Sequence, residues 1–182
     1  MIQVRDYFMP INPEVVVDMS CATGLFTRRL VKSSDYSRVI GCDYSDSMLR
    51  EARKRINSDT ELNDGNTNTR LDLVRCDVGN IPMISDSVDA LHAGAAMHCW
   101  PDLDAALSEI HRVLKPGGRY FATTFLSSYI STMTRGNSSA QNTFQAFTTD
   151  SLKELILKSG FEENNVKIEV LGSGCAVIRA EK

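Results

Sequence analysis

The chain has neither a Gly-x-Gly-x-x-Gly turn nor a Walker-type loop ending in Gly-Lys. Those are the two common backbone cradles for a pyrophosphate, so a dinucleotide or a nucleoside triphosphate is not the expected ligand. The five cysteines, at 21, 42, 76, 99 and 175, are odd in number and include no Cys-x-x-Cys pair. They read as reduced, small, buried hydrophobes from a reducing compartment, and no cluster with metal-ligand spacing accompanies them, so no metal is expected. No apolar run approaches the roughly 20 residues of a membrane span, and the N-terminus shows neither a secretory signal nor a transit peptide. Twenty Lys and Arg against 23 Asp and Glu give a net charge of −3, which supplies no positive field to hold a nucleic acid. The basic run Arg50 to Arg55, broken by Glu51 and Ala52, fits the solvated face of a helix.

What is present is an alternation of strand-period and helix-period segments. The 182 residues, 42% apolar and 24% charged, fit one soluble domain over 1–182, with a short N-terminal segment at 1–14. The pattern predicts strands at about 15–18, 38–42, 71–75, 87–92, 119–125, 166–170 and 175–180. Helices are expected at about 25–33, at 46–57 with Ser45 as N-cap and Met48, Leu49, Ala52 and Ile56 as apolar stripe, and at 149–159. Asp102 caps another helix, with Leu103, Ala106, Leu107, Ile110, Val113 and Leu114 on one face; Lys115-Pro116-Gly117-Gly118 stops it. Gly160 suits a helix C′ position with Phe161 folding back, and Gly172-Ser173-Gly174 suits a hairpin. Polar stretches at 59–68 and 127–146 read as a surface loop and as a lid or surface loop, respectively.

The chemistry-bearing segment is Val15-Val16-Val17-Asp18-Met19-Ser20-Cys21-Ala22-Thr23-Gly24 with Asp43 downstream. Three β-branched residues run into an acid, a turn of small residues follows, and an amphipathic helix begins. This is the strand–turn–helix used to wrap a nucleoside-containing cofactor. Asp43 closes a second apolar run, where a carboxylate can accept hydrogen bonds from both ribose hydroxyls; it also suits a helix N-terminus, where an acid is favoured by the dipole. Tyr44 and Met48 suit either packing on a base or the core.

These motifs resemble those of class I S-adenosylmethionine (SAM)-dependent methyltransferases. The family's Asp-x-Gly-x-Gly-x-Gly turn stands here as Asp18-x-Ser20-x-Ala22-x-Gly24. The segment from Val88 through His92-Ala93-Gly94-Ala95-Ala96-Met97-His98-Cys99-Trp100-Pro101 to Lys115-Pro116-Gly117-Gly118 is similar to the small-molecule branch related to ubiquinone/menaquinone methyltransferases. It is closer still to plant chloroplast plastoglobule-type methyltransferases. The resemblance spans about 15–181. It implies a Rossmann-like α/β fold with a seven-stranded, mostly parallel sheet whose last strand is antiparallel and inserted beside the fifth.

The resemblance further implies methyl transfer from SAM to a small-molecule acceptor, with S-adenosylhomocysteine as product. The implied cofactor residues are Asp18, Ser20, Cys21, Ala22, Gly24, Asp43, Tyr44 and Met48, then Cys76, Asp77 and Val78 at the adenine, and Ala93 and Gly94 near the sulfonium. Asp77 also suits a plain turn before Gly79-Asn80. No catalytic side chain is required by SAM chemistry; His98 is the candidate base and Trp100 a candidate substrate wall, while each also suits a structural role, and His92 and His111 read as structural. Ser20 and Ala22 replace family glycines, which leaves a catalytically degenerate binding protein as the alternative; a Cβ there costs little at negative φ and more at positive φ. The expected location is cytoplasmic, or plastid on the plant-type resemblance.

Overall fold

The computed structural model describes residues 2–63, 68–133, 144–172 and 174–182. Seven strands, β1 (Val15–Met19), β2 (Arg38–Asp43), β3 (Arg70–Arg75), β4 (Val88–Ala93), β5 (Leu114–Phe125), β6 (Val166–Leu171) and β7 (Cys175–Glu181), form one sheet in the order β3-β2-β1-β4-β5-β7-β6. Neighbours from β3 to β5 pair in parallel, and β7 runs antiparallel between β5 and β6. The fold is therefore the expected α/β one. Strand order reverses between β1 and β4, and ligands of open α/β sheets bind in the crevice beyond the carboxyl ends at such a switch.

Alternation along the strands sends residues into two cores. Val17, Leu91, Tyr120 and Ile178 pack with α4 (Leu103–Val113) and α6 (Thr149–Lys158) through Leu107, Ile110, Leu152 and Ile156. Val16, Val39, Ala90, Phe121 and Val177 pack on the opposite face with α1 (Ile2–Phe8) and α2 (Leu25–Lys32) through Val4, Phe8, Leu30 and Val31. Helix α3 (Asp46–Asn57) follows β2 and is capped by Ser45, whose Oγ accepts from the Met48 amide. Of its expected apolar stripe only Ala52 is fully buried; Met48 is exposed. An added Cβ on Gly24 would stand 3.1 Å from Ala52 Cβ, so the glycine lets α2 begin close against α3.

Three features add to or depart from the expected pattern. The N-terminal segment contains helix α1, held by Val4 and Phe8 one turn apart in the core; burying the phenylalanine stabilises by about 1.5–3 kcal/mol, which a seven-residue helix needs. Arg119 secures it, donating to the Tyr7 carbonyl at 2.6 Å with its guanidinium 5.0 Å from the Tyr7 ring centre. Leu114 ends no helix: it opens β5, pairing with Val88, while Arg119 pairs with Ala90. Lys115-Pro116-Gly117-Gly118 is thus a wide irregularity inside a strand, with Gly117 at φ 76°. Finally, Ser127–Met133, the start of the stretch read as a lid or surface loop, forms helix α5. Residues 134–143 of that stretch and residues 64–67 of the expected surface loop lie outside the described residues.

Candidate functional site

A cavity of about 640 Å³ opens beyond the carboxyl ends of β1 to β4, lined by Ser20 and Ala22 after β1, by Asp43, Tyr44 and Met48 after β2, by Cys76, Asp77 and Val78 after β3, and by Gly94, Ala95, Ala96, Cys99, Trp100 and Pro101 after β4. Four loops from adjacent strands meet there because parallel pairing aligns all their ends on one side.

The β1–α2 turn adopts an unusual backbone. Ser20, Ala22 and Gly24 have φ of 58°, 48° and 75°. Two L-residues thus hold the left-handed conformation usually left to glycine. Each has a visible compensation. The Ser20 hydroxyl accepts a 2.9 Å hydrogen bond from the Trp100 indole Nε1, which pins the buried Trp100 over the turn. The Ala22 amide donates to Asp43 Oδ2 at 2.8 Å, and the other carboxylate oxygen, Oδ1, accepts from the Ser45 amide at 2.9 Å. Asp43 therefore ties the turn to the start of α3 with one lone pair of each oxygen, and each oxygen keeps a second.

The positive φ of Ala22 gives a direct expectation. Glycine relieves about 1–2 kcal/mol of left-handed strain and loosens the unfolded chain by about 0.4–1 kcal/mol, so Ala22→Gly is expected to stabilise the protein by roughly 0.5–1 kcal/mol. Urea unfolding checks it; a destabilised variant would show that the turn carries no such strain.

Tyr44 is 67% exposed, with the Arg75 guanidinium 5.6 Å from its ring centre and Arg75 Nε donating to the Tyr44 carbonyl at 3.2 Å. Asp77 Oδ1 accepts from the Gly79 amide at 2.9 Å, so it makes the turn and lines the cavity as well. The thiol of Cys21 is pushed up to about 12 by burial, reinforced by Asp18 and Asp43, and burial also raises Cys99. Neither is a thiolate nucleophile near neutral pH.

Several residues expected at the site do not line it. Asp18 is buried at 2% exposure beneath the turn; its Oδ2 accepts from Thr27 Oγ1 at 2.5 Å and its Oδ1 lies 2.8 Å from His92 Nδ1. Cys21 is buried and donates its amide to the Cys42 carbonyl, while Gly24 donates to the Cys21 carbonyl; both shape the turn from behind. Ala93 is fully buried in β4. His98 packs between Phe125 and Phe144, its ring centre 5.0 and 5.4 Å from theirs, with Nδ1 3.3 Å from Thr124 Oγ1. Conversely, Ala95, Ala96, Cys99 and Pro101 line the cavity without having been singled out. Their signal was contiguity with Gly94 in the loop after β4. His111 is structural, edge-on to Phe161 at 4.9 Å and against Gly160.

Burial holds the His98 imidazole below its ordinary pKa, and burial with Lys182 does the same for His111. A histidine lowered in the folded state is protonated more readily in the unfolded chain. The stability is therefore complete above the unfolded value of about 6.5 and falls as pH drops through it. The urea midpoint is expected to be lower at about pH 5.5 than at about pH 7.5, and His98→Asn is expected to narrow the difference. An equal difference in the variant would remove His98 from the linkage.

The methyltransferase domain family matches residues 17–122. An uncharacterized chloroplastic methyltransferase of Arabidopsis thaliana is 45% identical over 122 residues, 67% of this chain and 34% of that protein. A demethylmenaquinone methyltransferase of Corynebacterium kroppenstedtii is 35% identical over 112 residues, 62% of this chain and 42% of its own length. The chain thus spans about a third to two fifths of the length of these relatives. A SAM-dependent methyltransferase structure from Methanosarcina mazei superposes with TM-score 0.81 over 99% of this chain and 96% of that one, at 18% identity, a likeness of fold. With the match covering more than half of its length, the chain belongs to the methyltransferase domain family.

Proposed function

We propose that the cavity binds SAM and that the protein transfers its methyl group to a small-molecule acceptor. The observation that carries this reading is the cavity at the strand-order switch, lined in turn by Asp77 after β3, the Asp43 carboxylate after β2, the small-residue turn after β1 and the Gly94–Pro101 loop after β4. The spare lone pairs of Asp43 suit a ribose diol. Asp77 with the Val78 amide offers an acceptor beside a donor, the pair that distinguishes adenine from hypoxanthine. Exposed Tyr44 and Met48 offer apolar surface to the base. The backbone of Ser20 and Ala22 at the entrance to α2 suits the amino-acid moiety, whose carboxylate is favoured near a helix N-terminus.

SAM supplies a methyl group already activated on a sulfonium. The protein's part is to hold it, orient the acceptor and keep water out. Trp100, fixed by Ser20 and set beside Pro101, walls the cavity toward the loop after β4. The altered glycines that motivated a degenerate, non-catalytic protein keep the left-handed backbone, and the cavity beside them stays open. Both observations favour an active cofactor site. The first Arabidopsis relative is chloroplastic, which favours a plastid location for this protein too.

Isothermal titration with S-adenosylhomocysteine tests the reading. One saturable site is expected, with a rise in melting temperature by mass action. No heat and no thermal shift at saturating ligand would end it.

A further inference from the structure

Strand β6 is an outer edge of the sheet, and the direction of its backbone groups follows from its neighbour β7. Lys182 donates to the Gly118 carbonyl at 3.0 Å, and Leu126 donates to the Gly174 carbonyl at 2.8 Å, so the even-numbered residues of β7 bond toward β5. In an antiparallel sheet successive residues turn their N–H and C=O to opposite neighbours. The odd-numbered residues of β7 therefore bond to β6, with Arg179 opposite Lys167, Val177 opposite Glu169 and Cys175 opposite Leu171. Val166, Ile168 and Val170 are left pointing their backbone groups away from the sheet. The Val166 amide turns back to the Glu163 carbonyl. The Val166 carbonyl and both groups of Ile168 and Val170 have no outward backbone partner among the described residues.

Open edges invite pairing with another chain, and proteins usually blunt them with a proline, a bulge or a lysine. Strand β6 has no proline, and its register with β7 runs unbroken from Val166 to Leu171. Val170 and Leu171 are 47% and 45% exposed. Lys167 could act as a guard, but Glu169 stands two residues on, on the same face of the strand. The Lys167 ammonium lies 2.8 Å from the Glu169 carboxylate, and Arg179 of β7 pairs with that carboxylate too. Lys167 can thus turn to another partner without leaving Glu169 bare.

We propose that this edge pairs with the same edge of a second copy of the chain, antiparallel about a two-fold axis at Ile168. In that register Ile168 faces Ile168 of the second copy, and Val166 faces Val170 of the second copy, so the outward-pointing residues meet one another. Between them Lys167 falls opposite Glu169 of the second copy, at a non-hydrogen-bonded position where side chains approach most closely. The two-fold axis repeats the pair on its other side, as an isologous contact requires. Sliding one copy by two residues is the smallest step that keeps outward groups facing. It sets Lys167 against Lys167 or Glu169 against Glu169, and like charges directly opposite destabilise a strand pair. The charge pattern therefore selects the one register that also matches all three outward residues. No residue of β6 lines the cavity beyond β1 to β4, so the pairing leaves that cavity open in both copies.

Sedimentation equilibrium of the whole chain, over concentrations rising to about 1 mM, tests the proposal. Wild-type protein is expected to approach twice the monomer mass. Val170→Pro removes an outward N–H and leaves the bonds to β7 in place. It is expected to stay monomeric, with its urea midpoint at high dilution and its S-adenosylhomocysteine affinity unchanged. Lys167→Glu sets two carboxylates opposite each other on both sides of the axis and is expected to weaken the dimer at least about tenfold. Wild-type protein that remains a monomer throughout overturns the proposal. So does a dimer of undiminished strength in either folded variant, which would place the contact elsewhere; if Val170→Pro does not fold, Lys167→Glu alone decides.

Discussion

Asp18→Ala is expected to cost the folded protein about 3–5 kcal/mol, the largest single effect foreseen for a polar residue here. The carboxylate is buried at 2% exposure and accepts from two side chains, the Thr27 hydroxyl and the His92 ring. Each hydrogen bond to a charged group contributes about 1.5–3 kcal/mol, and truncation strands two partners in the interior. Both partners are themselves fixed by glycines: a Cβ on Gly41 would stand 3.1 Å from Thr27 Oγ1, and one on Gly94 would strike His92. The cluster therefore has little room to repack, and the stranded groups stay stranded. Urea unfolding of the variant reads the loss, with Asp18→Asn expected to recover part of it. A cost under about 1 kcal/mol, the size of an exposed pair, would mean that the carboxylate is not the buried anchor of this cluster.

Asp43→Ala is expected to act on two quantities at once. On the proposed reading, in which Asp43 holds the ribose, the change should weaken S-adenosylhomocysteine binding by about 1.5–3 kcal/mol, the range for hydrogen bonds to a charged group. The same change strips the Ala22 and Ser45 amides of their acceptor and should cost stability by about 1–2 kcal/mol. From sequence alone the carboxylate would face ligand with little effect on folding; the two amide bonds show why folding also depends on it. Calorimetry and urea unfolding on the same preparation separate the contributions. Lower stability with unchanged affinity would leave Asp43 as a tie between turn and helix and remove it from the cofactor site.

The parts of this molecule that follow from local chemistry were legible in the sequence. Periodicity placed β1, β2 and α3 to within a residue, because β-branched runs and a serine cap are local signals. Helix α1 was not legible: seven residues carry too little periodicity, and its stability comes from Val4 and Phe8 reaching a core built by distant strands. The start of β5 was hidden because Pro116-Gly117-Gly118 looks like a terminator; only pairing with β4 shows that the strand runs through it.

The site divides in the same way. Small residues and acids at strand ends announced the cavity, since topology alone brings strand ends together. The cluster of Asp18, His92 and Thr27 was invisible because it depends on the parallel register that sets Asp18 beside His92. The bond from Trp100 to Ser20 joins positions 80 apart, so the reason for serine at a glycine position had no signal nearer than the folded structure.

The most direct test of the cofactor site is a two-dimensional amide NMR titration of the ¹⁵N-labelled protein with S-adenosylhomocysteine. The amides of Ser20 to Gly24, Asp43 to Met48, Asp77 to Gly79 and Gly94 to Ala96 are expected to shift together with one dissociation constant, while those of the β6–β7 pair stay in place. Shifts centred instead on the separate cavity lined by Val31, Arg53, Ile56 and Leu62, or no shifts at saturating ligand, would contradict the assignment of the cavity to the cofactor.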